Sequence, residues 1–360
     1  MTALHLRGVF LPDETERDAW ILDGRLTFDR PSGATETVAD RGWITPGFVD
    51  AHCHVGLAPT GNVADPEGQA RQALVNRQAG ALLLRDAGSP VDNTSVQSRD
   101  DLPRLVRAGR HIARTKRYIR DLGVEVEPED LVAEVERQVA EGDGSWVKIA
   151  ADWIDRDLGD LAPTFPDAAL AAGIARAHEL GARVAAHVFG EDALPGLIAA
   201  GIDSIEHGTG LTDDLIDAAR AAGCAVVPTL INIDNFPQIA LGGVSRFPKY
   251  AAHMRALFAT SRERIRSAWE AGVPVYTGTD AGGSLPHGLI RDEIRALVGA
   301  GIPQADVIAQ ASWRGREWLG LPGLVEGAPA DLIVYETDPR SDLAAMHWPV
   351  RTVLRGRVVG

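Results

Sequence analysis

Residues 44–55 read ITPGFVDAHCHV. An apolar run closes on Asp50, Ala51, His52, Cys53 and His54, and the period of two along a strand puts both histidines on one face and Cys53 on the other. Two imidazoles side by side suit a divalent metal, although such a pair alone is as often two hydrogen-bonded histidines. Seven further strand-like runs follow: GALLLRDAG (80–88), RHIART (110–115), SWVKIAAD (145–152), ARVAAHVF (182–189), IDSIEHG (202–208), CAVVPTL (224–230) and VPVYTGTD (273–280). With WITPGFVDAH (43–52) that makes eight, alternating with helical patterns. Pro128 precedes Leu131, Val132, Val135 and Val139, and Pro166 precedes Leu170, Ile174 and Ala177, each set forming one apolar helix face.

Eight strand–helix units over about 280 residues match a (β/α)8 TIM barrel, an α/β fold, better than a doubly wound sheet. The barrel is expected over 43–320. Outside it lie short β-rich runs, ALHLRGVF (3–10), AWILDGRLTF (19–28) and TETVADRG (35–42) at the front, LIVYETDP (332–339) and VRTVLRGRVV (350–359) at the back. Neither end can stand alone. Residues 1–42 and 321–360 are therefore expected to join in one small β-sandwich-like domain into which the barrel is inserted.

The chain has 360 residues, 45% hydrophobic and 24% charged, with a formal net charge of −14. Such an acidic balance opposes nucleic-acid binding, which needs a basic footprint to displace counterions. No run approaches the ~18 to 20 apolar residues of a membrane span, and acids interrupt the N-terminal stretch where a signal peptide would be apolar. Cys53 and Cys224 cannot make a disulfide framework. A cytoplasmic enzyme with a small-molecule substrate, no nucleic-acid or membrane partner and homo-oligomerisation left open is the expectation.

Strand ends of a barrel face its C-terminal mouth, where active sites lie. Only three of the 36 basic residues are lysine, so Lys148, set among Trp146, Val147, Ile149 and Ala150, suggests chemistry that arginine cannot perform. The bland alternative is an ion pair with Asp152 or Asp86. His187, Glu206 with His207, and Asp280 close the fifth, sixth and eighth strands. Imidazole and carboxylate ligands without thiolate favour zinc, with manganese, iron or cobalt as alternatives. By alternation Glu206 points away from the face of His207, as a packing group or a support behind a ligand.

ITPGFVDAHCHV, VKI, AAHVFG, IEHG and TGTDAG resemble the metal-ligand strands of the amidohydrolase superfamily. GALLLRDAGSP resembles the second strand of its imidazolonepropionase-like and prolidase-like branch, and LVEGAPADLIVYETDP its return to the small β domain. The resemblance implies one metal on His52, His54 and Asp280, a second on His187 and His207, and a CO2-derived carbamate on Lys148 bridging two divalent ions. It implies hydrolysis of an amide-type C–N bond in a dipeptide, N-acyl amino acid or cyclic amide. A metal lowers the pKa of water from ~15.7 to about 7 and so supplies hydroxide, with Asp280 as general base and acid. Lactone or phosphoester hydrolysis, single-metal deamination and a catalytically dead binding barrel are the alternatives.

The branch's GGH segment is absent, and Thr115–Tyr118 stands in its place. Tyr118 and Arg114, with Lys116, Arg117 and Arg120, are candidates to meet a substrate, or form a solvated basic loop. The stretch from Asn232 through Phe236 and Arg246 to Tyr250 reads as a lid, with Tyr250 a substrate contact. His287 either reaches substrate or caps a helix. The direction of His111 within the third strand stays open.

Overall fold

The computed structural model describes residues 2–59 and 62–360. Phe48–Cys53, Ala81–Asp86 and Trp146–Ala150 are buried at every position, as strands covered on both faces require. All barrel-region pairings in the two principal sheets are parallel. Phe48–Cys53, Ala81–Asp86 and Arg104–Arg107 form one sheet. The second runs Val124–Val126, Ile112–Arg114, Trp146–Ala150, Arg183–Val188, Ser204–His207, Ala225–Val227. Helices cover them in a TIM-barrel-like α/β arrangement. Helix Pro66–Gln78 opens as expected of its sequence, with Pro66 in the first turn and the Asp65 carboxylate accepting from Gly68 N. Helix Asp167–Glu179 buries Leu170, Ile174 and Ala177, the face read from their spacing.

The expected strands differ from the observed ones in three places. The first run divides at Gly47: Trp43–Pro46 pairs with Leu332–Tyr335, while Phe48–Cys53 opens the barrel region. At Gly47 the side chain of Leu82 fills the space a Cβ would take, at 2.4 Å. The third run is also two strands, Arg104–Arg107 pairing back to Ala81–Asp86 and Ile112–Arg114 pairing forward to Ile149. Between them Gly109 takes φ +70°, a left-handed turn that ends a strand. The eighth run makes only single bridges, Val226 with Val275 and Cys53 with Ala281. It nevertheless bonds to both sheets, through Tyr276 N to Val226 O at 2.9 Å and Ala51 N to Thr277 O at 2.8 Å.

The terminal segments meet in one eight-stranded sheet, where two facing sheets were expected. Trp43–Pro46 lies at its centre, parallel to Ala3–Phe10 and antiparallel to Leu332–Tyr335. Its core is Leu6, Phe10, Ile44, Leu332, Val334 and Val353. Phe48 against Tyr335, ring centroids 6.4 Å apart, and Arg104 bonded to buried Asp331 tie this sheet to the barrel region. No helix among the described residues is long and apolar enough to cross a membrane.

Gly278 is where the eighth run passes His52: an added Cβ would lie 2.4 Å from Val227 Cγ1 and 2.7 Å from His52 Cβ. Gly278→Ala is expected to lower unfolding free energy by about 1–3 kcal/mol through overpacking. Urea denaturation reads this directly, and an unshifted midpoint would contradict the close approach.

Candidate active site

Three ligand atoms converge at the ends of the first and eighth runs. His52, His54 and Asp280 each offer one atom within 4.8 Å of the others. The Asp280 Oδ1 atom lies 2.9 Å from His54 Nε2 and 3.2 Å from His52 Nε2. The far side of each ring fixes its tautomer. His54 Nδ1 donates to Gly88 O at 2.7 Å, and His52 Nδ1 donates to Glu206 Oε2 at 2.5 Å. Both Nε2 lone pairs are thereby turned toward Asp280.

A second pair faces them. His187 Nδ1 and His207 Nε2 are 3.0 Å apart, and His207 Nδ1 meets Thr229 Oγ1 at 2.7 Å. Burial pushes the His207 imidazole down to about 3 and holds His187 well below its ordinary range, with each other's proximity adding to His187's shift. Both rings are thus neutral donors, the form in which histidine binds metal. His207, Thr229 and Asp280 have φ of +70°, +49° and +55°. Left-handed backbone at non-glycine residues costs of order 1–3 kcal/mol each and concentrates at functional sites.

Lys148 lies in the same cavity, 1% exposed, and its Nζ has no hydrogen-bond partner. The expected alternative, an ion pair with Asp152 or Asp86, is absent: those carboxylates accept instead from the backbone of Phe189 and Gly190 and of Val55 and Gly88. Burial pushes the Lys148 ammonium down to about 8, against the opposing pull of Glu206. Its charge bears on His54, His187 and His207 alike, so it stands near both ligand groups. The donor set fits divalent metal: three ligand atoms on one side, two on the other, and a partnerless amine that can take up a further group.

Glu206 sits behind His52. It is fully buried and accepts from Arg85 Nη2 at 2.7 Å and Ser204 Oγ at 2.6 Å as well as from His52. Despite burial, Arg85 and then Lys148 hold it well below the ordinary carboxylate range. It fixes the ring of His52 from behind and turns no oxygen into the cavity.

The cavity has a volume of 440 Å³. Tyr118 and Tyr250 line it, and burial raises both phenols, Tyr250 to about 12, so both remain O–H donors. Arg114 and His287 do not reach the wall. The Arg114 guanidinium donates to Thr164 O at 3.3 Å and lies 3.8 Å from Glu127. His287 Nδ1 is bonded to Asn76 on helix Pro66–Gln78, and the helix it precedes, Ile290–Gly299, has no side-chain cap. Of the basic stretch only Arg120 lines the cavity, while Arg117 pairs with Asp155 at 2.8 Å. His111 faces the site, its ring 5.1 Å from His54 and 5.6 Å from Tyr118.

The expected lid is packed structure: helices Leu230–Ile233, Phe236–Gly243 and Pro248–Glu270. Its apolar residues Phe236 and Ala240 are fully buried against Phe189, Leu161 and Met254. Asn232 donates to Asp280 Oδ2 at 2.6 Å, a contact that no sequence spacing announces. Trp153 is another unforeseen wall residue, as are Phe189, Leu57 and Ile239. Trp153 stands on a hairpin, Asp152–Asp155 with Asp160–Pro163, whose one sequence signal is the polar DRDLGD turn after the fourth strand.

The chain belongs to the amidohydrolase family, whose model matches residues 43–359. It is an amidohydrolase-family enzyme. Over 358 residues it is 55% identical to Rv2915c of Mycobacterium tuberculosis (strain H37Rv) and to Mb2939c of Mycobacterium bovis, covering 99% of this chain and 96% of each of those. Among solved structures it resembles a Xaa-Pro dipeptidase with methionine bound in its active site (TM-score 0.80, 21% identity, 99% of this chain and 100% of that one). It also resembles the ochratoxinase of A. niger (TM-score 0.82, 20% identity, 99% and 95%) and a prolidase complexed with N-methylphosphonate-L-proline (TM-score 0.77, 21% identity, 99% of both). These neighbours share its TIM-barrel-like fold.

Glu293 braces the wall by accepting from Leu230 N and Ile231 N, at 2.9 and 3.0 Å. Burial raises its carboxyl from 4.5 to about 8. The folded chain therefore holds a proton that the unfolded chain has lost, and this group's contribution to stability falls as pH rises from about 4.5 to about 8. Glu293→Gln removes that dependence. Urea titrations at pH 5 and pH 8 are expected to show the variant gaining on the wild type at the higher pH, and parallel behaviour would contradict the raised carboxyl.

Proposed function

We propose that this amidohydrolase uses two divalent ions, zinc before manganese, iron or cobalt, to hydrolyse an amide-type C–N bond in a small molecule. His52, His54 and Asp280 would hold one ion and His187 and His207 the other, with Lys148, as its carbamate, between them. The observation that carries this reading is the buried Lys148 Nζ without a partner beside both ligand groups. A free ammonium there is a desolvated charge that costs several kcal/mol; the neutral amine adds CO2, releases a proton to solvent and becomes an anion with two donor oxygens. One ion at His52, His54 and Asp280 would leave that amine unexplained, which favours two metals over a single-metal deaminase.

When bound, such ions activate water and polarise a carbonyl. The chain's own residues supply the rest. Asp280 takes the proton of the attacking water and returns it to the departing nitrogen, one oxygen beside the histidines and the other fixed by Asn232. Tyr118, its ring 5.3 Å from His187, can donate its O–H to the carbonyl oxygen of a bound substrate. Tyr250 closes the outer wall. A cytoplasmic enzyme with a small-molecule substrate, with homo-oligomerisation left open, remains the expected setting.

Metal analysis of chelator-free protein is expected to give about two equivalents per chain, falling in Lys148→Ala along with turnover, and short carboxylates should partly restore both. Unchanged metal content and rate would remove the carbamate. Asp280→Asn is expected to retain much of the metal while losing ~10²- to 10⁴-fold in kcat; near-normal turnover would refute its role as base.

A further inference from the structure

We infer that the substrate carries an aromatic acyl group, a carboxylate at its outer end and no free α-ammonium: an N-arylacyl amino acid and not a free dipeptide. This narrows the hydrolase reading above and rests on it. Water adds across the C–N bond, releasing an aromatic carboxylic acid and an amino acid, so no oxidant or co-reactant is needed.

Shape and polarity come first. Tyr118, Trp153, Phe189 and Tyr250 line the cavity, with Leu57 and Ile239 among their aliphatic neighbours. The aromatic wall begins at the ligand imidazoles themselves: Phe189 lies 4.4 Å from His187 and 4.8 Å from His207, and Trp153 lies 5.5 Å from His187. A carbonyl seated at the histidines has these rings beside it, and a planar apolar acyl group laid against them gains most.

Charge then excludes the free dipeptide. Among the described residues Asp280 is the one carboxylate lining the cavity, and His52, His54 and Asn232 already occupy it. Asp86, Asp152 and Glu206 lie behind the wall, each bonded to buried donors. A substrate ammonium beside the scissile bond would be desolvated with no anion to receive it, an arrangement that costs heavily. The remaining charge at the mouth has the opposite preference. Arg120 is exposed, lines the cavity and makes no ion pair among the described residues, so it suits one substrate carboxylate.

The test uses the metal-loaded enzyme and three matched compounds: 3-phenylpropanoyl-leucine, the dipeptide Phe-Leu, which differs by the α-ammonium, and acetyl-leucine, which lacks the ring. Expected is a kcat/KM for the first at least ~10-fold above either other compound. Calorimetric titration with the products provides a readout independent of turnover: 3-phenylpropanoate is expected to bind at least ~10-fold more tightly than phenylalanine. Trp153→Ala should erase the ring's advantage, and Arg120→Gln should raise KM for 3-phenylpropanoyl-leucine with little change in kcat. Phe-Leu cleaved or phenylalanine bound as well as its counterpart would overturn the inference and leave the hydrolase reading standing, as would absence of binding by 3-phenylpropanoate when amides are still cleaved. Tight, selective binding with no amide cleaved would have the reverse meaning, sustaining the recognition and removing the hydrolase.

Discussion

The buried ion pair between Arg85 and Glu206 is the interaction on which the metal-ligand end of the molecule depends. Both side chains are fully buried, and such charges are tolerable in the interior only when paired and hydrogen-bonded. Arg85 meets the requirement by donating to Glu206 and to Ala51 O and by lying 4.4 Å over the Trp146 ring. Three elements are thereby clamped together: the strand carrying Arg85, the strand carrying Glu206, and the backbone one residue before His52. Glu206 in turn receives His52 Nδ1. Orientation of the first imidazole is thus inseparable from the way the barrel interior satisfies its charges, and losing either partner would strand a buried charge and release the ring together.

The same interior drives proton affinities toward a metal-ready state. Burial first, with the neighbouring basic groups adding to it, keeps His187 and His207 neutral, and burial lowers Lys148 to about 8, so two imidazoles offer lone pairs beside an amine that loses its proton more easily than an exposed lysine. Asp280 takes the opposite course, held well below the ordinary carboxylate range by His52, its bonds to His52 and His54, and His207 despite its burial. One anion and several neutral donors in a dry cavity form a field that favours cations of high charge density. The left-handed backbone at His207 and Asp280 shows where the fold bears strain to aim those donors.

How much of this is legible in the sequence follows from what each contact depends on. Strand identity and the candidate ligands on the strands follow from apolar runs that carry or close on polar residues, a local pattern, and His52, His54, Lys148, His187, His207 and Asp280 do line one cavity. The breaks at Gly47 and Gly109 were hidden because a glycine in a run looks the same whether it continues a strand or ends it; the packing of Leu82 and a positive φ decide. The stretch read as a lid reaches the cavity through Asn232, Ile239 and Tyr250, but which of its apolar residues face it was hidden, since Phe236 and Ala240 are equally apolar facing a cavity or facing Met254. Arg114 was a candidate on charge alone, but its nearest partner, Thr164 O, lies 50 residues away, beyond any spacing argument. Asn232 reached Asp280 by the same kind of long-range contact.

Chemistry and recognition are carried by different parts of the chain, and this separation explains why one was readable and the other was not. The ligands stand on buried strands or at their ends, where backbone pairing fixes them: Ala150 pairs with His187, and His187 with Glu206. The wall that would select a substrate comes from connections, with Trp153 on a hairpin, Tyr118 and Arg120 after a strand end, and Ile239 and Tyr250 on helices. Connections can exchange rings and charges without disturbing the Arg85–Glu206 clamp, whereas a strand-end ligand cannot move without it. A likeness at 20–21% identity therefore speaks to the fold and to neither end of the cavity. At the far end, the aromatic rings, and among the described residues the single occupied carboxylate and the unpaired Arg120, are the stronger argument.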